Sequence, residues 1–123
     1  TTPRGYYRTN MLGCTGEGAQ TTWDELRFVA ETPAGTSVVF RARTAASEGE
    51  LASAEWVIVA SLPGDASPAD LGAALTGAGI SHGPHLEIEI QLVTERFEDD
   101  ASISPTVSSV AVTHSCDGAS VVL

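Results

Sequence analysis

The histidines are the first residues whose types could do chemistry. A nucleophilic triad needs a base beside a nucleophile and a third group that orients the base. The chain has no Gly-x-Ser-x-Gly elbow, and His114 shares strand parity with Val110 and Val112, which is typical of a framework residue. His82 and His85 could offer two imidazoles to a metal, but zinc takes three or four ligands and nothing nearby completes the set. We therefore expect no catalytic site, no metal site and no cofactor, and the protein is predicted not to be an enzyme.

An acidic run at residues 95–100 is the sharpest charge cluster. Calcium takes roughly six to eight oxygen ligands, and four side chains of the run could supply several: Glu95, Glu98, Asp99 and Asp100. The run lacks the glycine-spaced pattern of a calcium loop, and a solvated loop tip is its usual interpretation. Paired carboxylates could also serve a glycosidase, but no cleft is evident in the sequence. The four acids therefore stand as calcium candidates only.

Two cysteines, Cys14 and Cys116, lie near the two ends of the chain. Cysteines so placed suggest a disulfide clasp that forms in an oxidising compartment. The bond would close a loop of about 100 residues and tie the start of the body to its last strand. Two unrelated buried thiols are the alternative. The predicted disulfide places the protein outside the cell or on the cell surface.

The charge balance limits the partners. The 123 residues carry 16 acids and 6 bases, all of them arginine, for a net charge of −10. A body this acidic repels phosphate backbones, which argues against nucleic acid. No apolar run approaches the roughly 20 residues of a membrane-spanning helix, so membrane insertion is not expected. The length predicts a single globular domain, and the remaining partners are copies of the chain itself and glycans.

Residues 1–13 are basic and aromatic, unlike the acidic body. They contain Arg4, Tyr6, Tyr7 and Arg8 and no acid, and a proline and a glycine disfavour a helix. We interpret the segment as an arm that docks on a neighbouring copy through these four residues, because aromatics and arginine dominate interface energetics. Tyr6 and Tyr7 would point to opposite sides of an extended arm. A frayed terminus and an edge strand packed on its own body are the alternatives.

Alternation in residues 85–93 predicts a strand with one face in a core and one in water. The inward residues would be Leu86, Ile88, Ile90 and Leu92, and the outward residues Glu87, Glu89 and Gln91. A second strand-like run follows at residues 105–116. Because antiparallel sheets show such alternation and parallel sheets usually do not, we interpret the two runs as neighbouring antiparallel strands.

Three further body strands are predicted from apolar patterns. They lie at residues 21–31, 37–44 and 55–61. The third is apolar on both faces and rich in β-branched residues, which favours a central strand. Trp23 and Trp56 are both expected in the core.

One short helix is predicted near residues 68–76, with Ser67 as its N-cap. Residues 45–53 are small and polar and are interpreted as a loop. Together the elements predict an all-β protein, an antiparallel β-sandwich of jelly-roll-like topology with six to eight strands. An immunoglobulin-type sandwich is the nearest competitor, but the cysteines lie near the termini and not on two mid-chain strands.

The framework residues carry a family resemblance. The matching positions are residues 32–36, residues 41–44, Trp56, the short helix, residues 86–92, residues 104–107 and Cys116. The chain resembles, over about residues 22–116, the jelly-roll, discoidin-like or carbohydrate-binding-like modules of secreted bacterial proteins. Such modules bind ligands through variable loops or exposed aromatics, so the resemblance assigns no binding residue.

The predicted organisation is an N-terminal arm at residues 1–13, a sandwich domain at 14–116 and a tail at 117–123. The leading functional hypothesis is a non-enzymatic extracellular structural subunit that self-assembles through its arm into a homopolymeric surface filament. A carbohydrate- or surface-binding module is the alternative, and a viral decoration or tail component is a further one.

Overall fold

The structure is a computed structural model that describes residues 4–14, 20–33, 35–94 and 105–117. Its elements, in chain order, are β1 (Arg4–Leu12), β2 (Gln20–Glu31), β3 (Thr36–Ala45), α1 (Glu48–Leu51), β4 (Val57–Leu62), α2 (Leu71–Gly77), β5 (His85–Thr94) and β6 (Thr106–Asp117). The predicted tail overlaps β6 at Asp117, and its residues 118–123 lie outside the described part of the chain.

The strands form two antiparallel sheets that face each other across one core. The larger sheet has the order β1-β5-β3-β4, and the smaller consists of β2 and β6. Phe28 of β2 stacks on Phe40 of β3, with 4.5 Å between the ring centroids, so the inner faces of the sheets meet at these rings. The predicted all-β sandwich is confirmed, with six strands in the described part of the chain.

Alternation along β3 and β5 builds most of the core. Their inward residues are 0% exposed at five positions: Val38, Phe40, Ala42, Leu86 and Ile88. The small sheet and α2 complete the core with Trp23, Leu26, Leu71 and Leu75. Burying one large apolar side chain stabilises a fold by roughly 1.5–3 kcal/mol. The inward residues of these strands therefore contribute much of the stability of the fold.

β5 and β6 lie in different sheets, which corrects the prediction that they are neighbours. β5 pairs with β1 and β3, and β6 pairs with β2. The two strands face one core from opposite sides, so both alternate in the same way. Alternation indicates which residues point inward, but it does not indicate which strands pair.

β4 is an edge strand, not the central strand that its apolar residues predicted. It follows β3 at the end of the larger sheet. Ile58 lies directly opposite Arg41 and is 62% exposed, so the outer face of β4 exposes an apolar side chain to water. β-branched residues suit any pleated surface that is buried on one side, and the apolar run therefore did not require burial on both faces.

The predicted helix is present but begins later than expected. α2 starts at Leu71, and the carboxylate of Asp70 caps it by accepting from the Ala73 N–H at 2.9 Å. The hydroxyl of Ser67, the predicted cap, instead accepts from the backbone N–H of Phe28 at 3.0 Å. Serine and aspartate cap helices equally well, and here the hydrogen bond to β2 uses the serine.

A second short helix, α1, lies in the stretch that was predicted as a loop. Ser47 caps it by accepting from the N–H of Glu50 at 3.2 Å, and Leu51 is 4% exposed. A single turn is too short for a sequence pattern to show, and such a turn depends on packing. Neither helix in the described residues is long and apolar enough to cross a membrane.

The predicted N-terminal arm is an edge strand of the larger sheet. Residues Arg4–Leu12 form β1 and pair antiparallel with β5 of the same chain, from Arg4 opposite Val93 to Leu12 opposite His85. For residues 4–12 the arrangement found is the alternative, an edge strand on its own body, and not an arm that leaves the domain. Without a neighbour, this edge of β5 would expose unpaired backbone N–H and C=O groups. Pairing with β1 provides their hydrogen-bond partners.

The predicted disulfide between Cys14 and Cys116 is confirmed. The two Cα atoms lie 5.7 Å apart, and the bond spans 102 residues of sequence. Cys14 lies two residues after the end of β1, and Cys116 lies in β6. The bond therefore links the larger sheet to the smaller one.

Candidate functional site

The candidate site lies on the face of the larger sheet that points away from the core. The strand registers place two rows of polar residues across β1, β5 and β3. The rows are Arg8, Glu89, Arg41 and Asn10, Glu87, Arg43. Side chains directly opposite each other in neighbouring strands lie on one face, so these residues share the outer face. We name the group formed by Arg8, Arg41, Arg43, Trp56, Glu87 and Glu89 the Arg–Trp cluster.

Glu89 is the fixed centre of the cluster. The residue is 0% exposed, and both carboxylate oxygens are engaged. Oε2 accepts from Nε of Arg8 at 2.8 Å, and Oε1 accepts from Nε of Arg41 at 2.9 Å and from Nε2 of Gln91 at 2.7 Å. A second guanidinium nitrogen of Arg41, Nη2, also donates to Oε1. A buried carboxylate held by this many donors orients the arginines around it.

The same contacts set the pKa of Glu89. Burial desolvates the carboxylate and by itself raises the pKa, but hydrogen bonds from Arg41, Gln91 and Arg8, with the charge of Arg41, outweigh it. The net effect places the pKa of Glu89 below its ordinary value of 4.5. Glu89 is therefore ionised at neutral pH and acts as an acceptor.

Trp56 lies over the arginines and not in the core, which corrects its predicted burial. The Cζ atoms of Arg43, Arg41 and Arg8 lie 4.3, 4.9 and 5.4 Å from its ring centroid. The ring is half-buried. Guanidiniums at these distances are attracted to the negative face of an indole ring. Trp56 was expected in the core as part of the strand predicted at residues 55–61, and the arginine contacts instead hold it on the outer face.

The three arginines differ in how much of each reaches water. The exposed fractions of the side chains are 54% for Arg8, 27% for Arg41 and 13% for Arg43. Arg43 donates to Glu87 at 2.6 Å and to the carbonyl oxygen of Ala52 at 3.1 Å. Arg8 uses only Nε, and among the described residues no acceptor contacts its two terminal amino groups. Arg8 is therefore the arginine placed to meet a ligand.

The cluster is a local reversal of the protein's charge. It holds three of the six arginines of a chain whose net charge is −10. Its two glutamates leave it with one net positive charge. A positive site on an acidic body favours a polar or anionic ligand over another basic surface.

Tyr6 and Tyr7 lie on opposite sides of β1, as predicted. Tyr6 is opposite Gln91 on the outer face and is 52% exposed, so it extends the surface of the Arg–Trp cluster. Tyr7 is 66% exposed and lines a groove of 610 Å³ with Leu92 and Val110, between β1 and β6. Arg4 lies in β1 at the position opposite Val93.

The histidines contribute to the framework around Trp23. Nδ1 of His82 accepts from the backbone N–H of Trp23 at 3.0 Å, and the ring of His114 lies 5.3 Å from the indole. In the described ranges, one set of three metal-capable residues converges: Cys14, His114 and Cys116. Its sulfurs are joined in the disulfide, whereas a metal needs free thiolates. The calcium candidates Glu95, Glu98, Asp99 and Asp100 lie outside the described residues.

Sequence reasoning missed most of the cluster. Of its six members, only Arg8 was a candidate, and it was assigned to an interface between copies. A signal was present, because two arginines at alternate positions in residues 37–44 and two glutamates at alternate positions in 85–93 both point outward. The strand order was needed to show that these rows lie side by side.

Comparisons of the chain with protein-family models, with curated proteins and with solved structures find no match. The resemblance to discoidin-like and carbohydrate-binding-like jelly-roll modules therefore stays a prediction. Function has to follow from the geometry of the Arg–Trp cluster and its surroundings.

Proposed function

We propose that the protein is a non-enzymatic, extracellular binding module that holds a carbohydrate on the outer face of its larger sheet. The observation that carries this proposal is the Arg–Trp cluster, in which buried Glu89 fixes two arginines beside the half-buried ring of Trp56. A recognition surface with its polar groups already oriented loses little conformational entropy on binding.

The chemistry of the surface suits a sugar. A pyranose offers an apolar ring face and a rim of hydroxyls, which match an aromatic ring flanked by charged donors. Trp56 and exposed Tyr6 supply rings on the same face of the sheet. Arg8, two residues after Tyr6 on β1 and 5.4 Å from the ring of Trp56, supplies hydrogen-bond donors beside both. Hydrogen bonds to charged groups contribute more than neutral ones, roughly 1.5–3 kcal/mol each.

The absence of catalysis belongs to the same proposal. A general acid needs a carboxyl group with a raised pKa, whereas the pKa of Glu89 is lowered and both its oxygens are engaged. Glu87 is paired with Arg43. The two glutamates nearest the proposed ligand thus hold arginines in place.

The disulfide and the charge support the proposed location and partners. A structural disulfide persists in oxidising, extracellular compartments. A net charge of −10 opposes binding to nucleic acid.

A glycan array followed by isothermal titration calorimetry tests the proposal. We expect binding to a defined set of oligosaccharides and a loss of about fivefold or more in Trp56→Ala, because one ring contact contributes about 1 kcal/mol or more. Tyr6→Ala, at a 52% exposed position, tests the same face with little risk to folding. Val29→Thr is the matched control, since Val29 is 58% exposed on the smaller sheet.

Two results would contradict this function. One is that no glycan binds to the folded protein. The other is that the Trp56→Ala and Tyr6→Ala variants, shown to be folded by circular dichroism, bind as tightly as the parent chain. Release of new reducing ends from a bound oligosaccharide would contradict the non-enzymatic part alone.

A structural subunit of a homopolymeric filament, or of a viral decoration or tail, is the second candidate. The observation that favours it is the groove beside Tyr7, which lies between edge strands β1 and β6. A strand of a neighbouring copy could pair with either edge, and such head-to-tail contacts give rings or filaments. Sedimentation velocity across a wide concentration range tests it: polymers that Tyr7→Ser prevents would favour this candidate, and a monomer at every concentration would exclude it.

A further inference from the structure

The ligand class can be narrowed by following the charge of the Arg–Trp cluster. We infer that the bound carbohydrate is acidic and that the terminal amino groups of Arg8 take the carboxylate of a uronic acid unit. This inference rests on the proposed function and specifies the chemistry of the same surface.

Arg8 is held in an orientation that leaves its two terminal amino groups available to a ligand. Nε is bonded to Oε2 of Glu89 at 2.8 Å, which fixes the plane of the guanidinium. The side chain is 54% exposed, and among the described residues no acceptor contacts its terminal nitrogens. Two parallel N–H groups in one plane match the two oxygens of a carboxylate. A neutral sugar hydroxyl would use only one of them well.

The other arginines do not compete for this role. Arg41 donates twice to Glu89, and Arg43 is tied to Glu87 and to the carbonyl oxygen of Ala52. Their charges nevertheless remain within the cluster. With one net positive charge before the ligand arrives, the cluster is neutralised by a single carboxylate.

The aromatic neighbours fit the same ligand. Tyr6 precedes Arg8 by two residues on the same strand and face, a spacing of roughly 6.6 Å along a strand. The ring of Trp56 lies 5.4 Å from Cζ of Arg8. Sugar rings stacked on either aromatic would direct a carboxyl substituent to Arg8. The half-buried indole also excludes part of the water, which strengthens the charge interaction.

The discriminating probe is an oligogalacturonate and its full methyl ester, which share rings and linkage and differ at the carboxyl group, ionised in the acid and neutral and methylated in the ester. Oligomannuronate serves as a second acidic probe. Titration calorimetry at low ionic strength should show at least one acidic probe binding about tenfold more tightly than the ester. Raising the salt concentration should weaken the acidic probe and leave the ester almost unchanged.

Arg8→Gln is the variant that isolates the inference. Glu89 keeps its hydrogen bonds from Arg41 and Gln91, so the sheet should remain intact. The variant should lose about tenfold in affinity for the acidic probe and bind acid and ester equally. Arg8→Lys keeps the charge without the planar fork and should recover only part of the loss. Arg27→Gln, on the smaller sheet, is the matched control and should bind like the parent chain.

The outcomes separate the inference from the function beneath it. If the ester or a neutral oligosaccharide binds as tightly as the acid, and Arg8→Gln changes nothing while Trp56→Ala abolishes binding, the inference is wrong and the carbohydrate module stands. If sulfated oligosaccharides bind and uronates do not, the carboxylate assignment is wrong. If no carbohydrate binds at all, both proposals fail.

Discussion

The outer faces of the two sheets each carry an arginine–glutamate pair, and the two pairs differ in their surroundings. On the larger sheet, Arg41 is 27% exposed and Glu89 0% exposed. On the smaller sheet, Arg27 donates to Glu25 at 2.9 Å, with exposed fractions of 60% and 41%. The residue types are the same, so the difference lies in what the sheet provides around them.

Strand position explains the contrast. β3 and β5 are the inner strands of a four-stranded sheet, whereas β2 and β6 form a sheet that has only edge strands. A residue on an inner strand has neighbours on both sides, and Trp56 lies over these as well. A pair on the two-stranded sheet has water on one side. Because the larger sheet has inner strands, it can hold a fixed polar site on its outer face. The smaller sheet packs against its inner face.

The largest effect should come from cutting the bond that joins the two sheets. In the chain-entropy model, a loop of about 100 residues gives a disulfide about 4.7 kcal/mol, and measured losses are typically about 2–5 kcal/mol. Replacing both Cys14 and Cys116 with alanine should lower the free energy of unfolding by about 4 kcal/mol in urea titrations. Dithiothreitol should do the same to the parent chain and nothing to the variant. A loss of unfolding free energy below about 1 kcal/mol would show that packing between the sheets stabilises the fold without the disulfide.

Glu89→Ala should give the next largest loss, about 3 kcal/mol. Removing one partner of a buried ion pair costs roughly 3–5 kcal/mol, because the other partner is left buried and unpaired. Arg8 and Arg41 keep partial contact with water, which places this site at the low end. Glu25→Ala is the matched control on the smaller sheet. Equal losses for the two variants in urea titrations would remove the contrast between the faces.

The pH dependence of stability should separate the two faces further. The folded pKa of Glu89 is lowered from 4.5, so its ionised form stabilises the fold above about pH 4.5, and that stability is lost as pH falls through the lower folded value. The difference in unfolding free energy between the parent chain and Glu89→Gln should be constant from pH 7 to about 5 and then shrink. A difference that stays constant down to pH 3 would contradict the lowered pKa.

The sequence predicted the inward half of each strand well. Leu86 and Ile88 were placed in the core from their spacing alone, and both are 0% exposed. The hydrophobic effect favours an apolar side chain at each inward position, so it produces a periodic pattern in the sequence. The disulfide was predictable for a similar reason, because two cysteines in one domain leave one possible pairing.

The grouping of the outward-facing residues could not be predicted, because it depends on which strands are neighbours in the sheet. Glu89 is separated in sequence from Arg8 by 81 residues and from Arg41 by 48. No local pattern links the three residues. Trp56 was expected to be buried because aromatic rings favour cores, but three guanidiniums hold it outside. Segment 1–13 was expected to be an arm because its charge differs from that of the body, and backbone pairing with β5 places residues 4–12 in the sheet instead.

The smallest effect should come from the exposed pair on the smaller sheet. Exposed ion pairs typically contribute about 0.2–1 kcal/mol, because water screens the charges and two long side chains lose freedom. A double-mutant cycle of Arg27→Ala and Glu25→Ala, measured by urea unfolding, should give a coupling below about 0.5 kcal/mol that 1 M salt removes. The same cycle on Arg41 and Glu89 should give a coupling above about 1 kcal/mol that salt reduces only slightly, since burial excludes the screening ions. If the two cycles agree in size and in salt dependence, burial does not distinguish the faces, and the Arg–Trp cluster loses its claim to be a pre-oriented site.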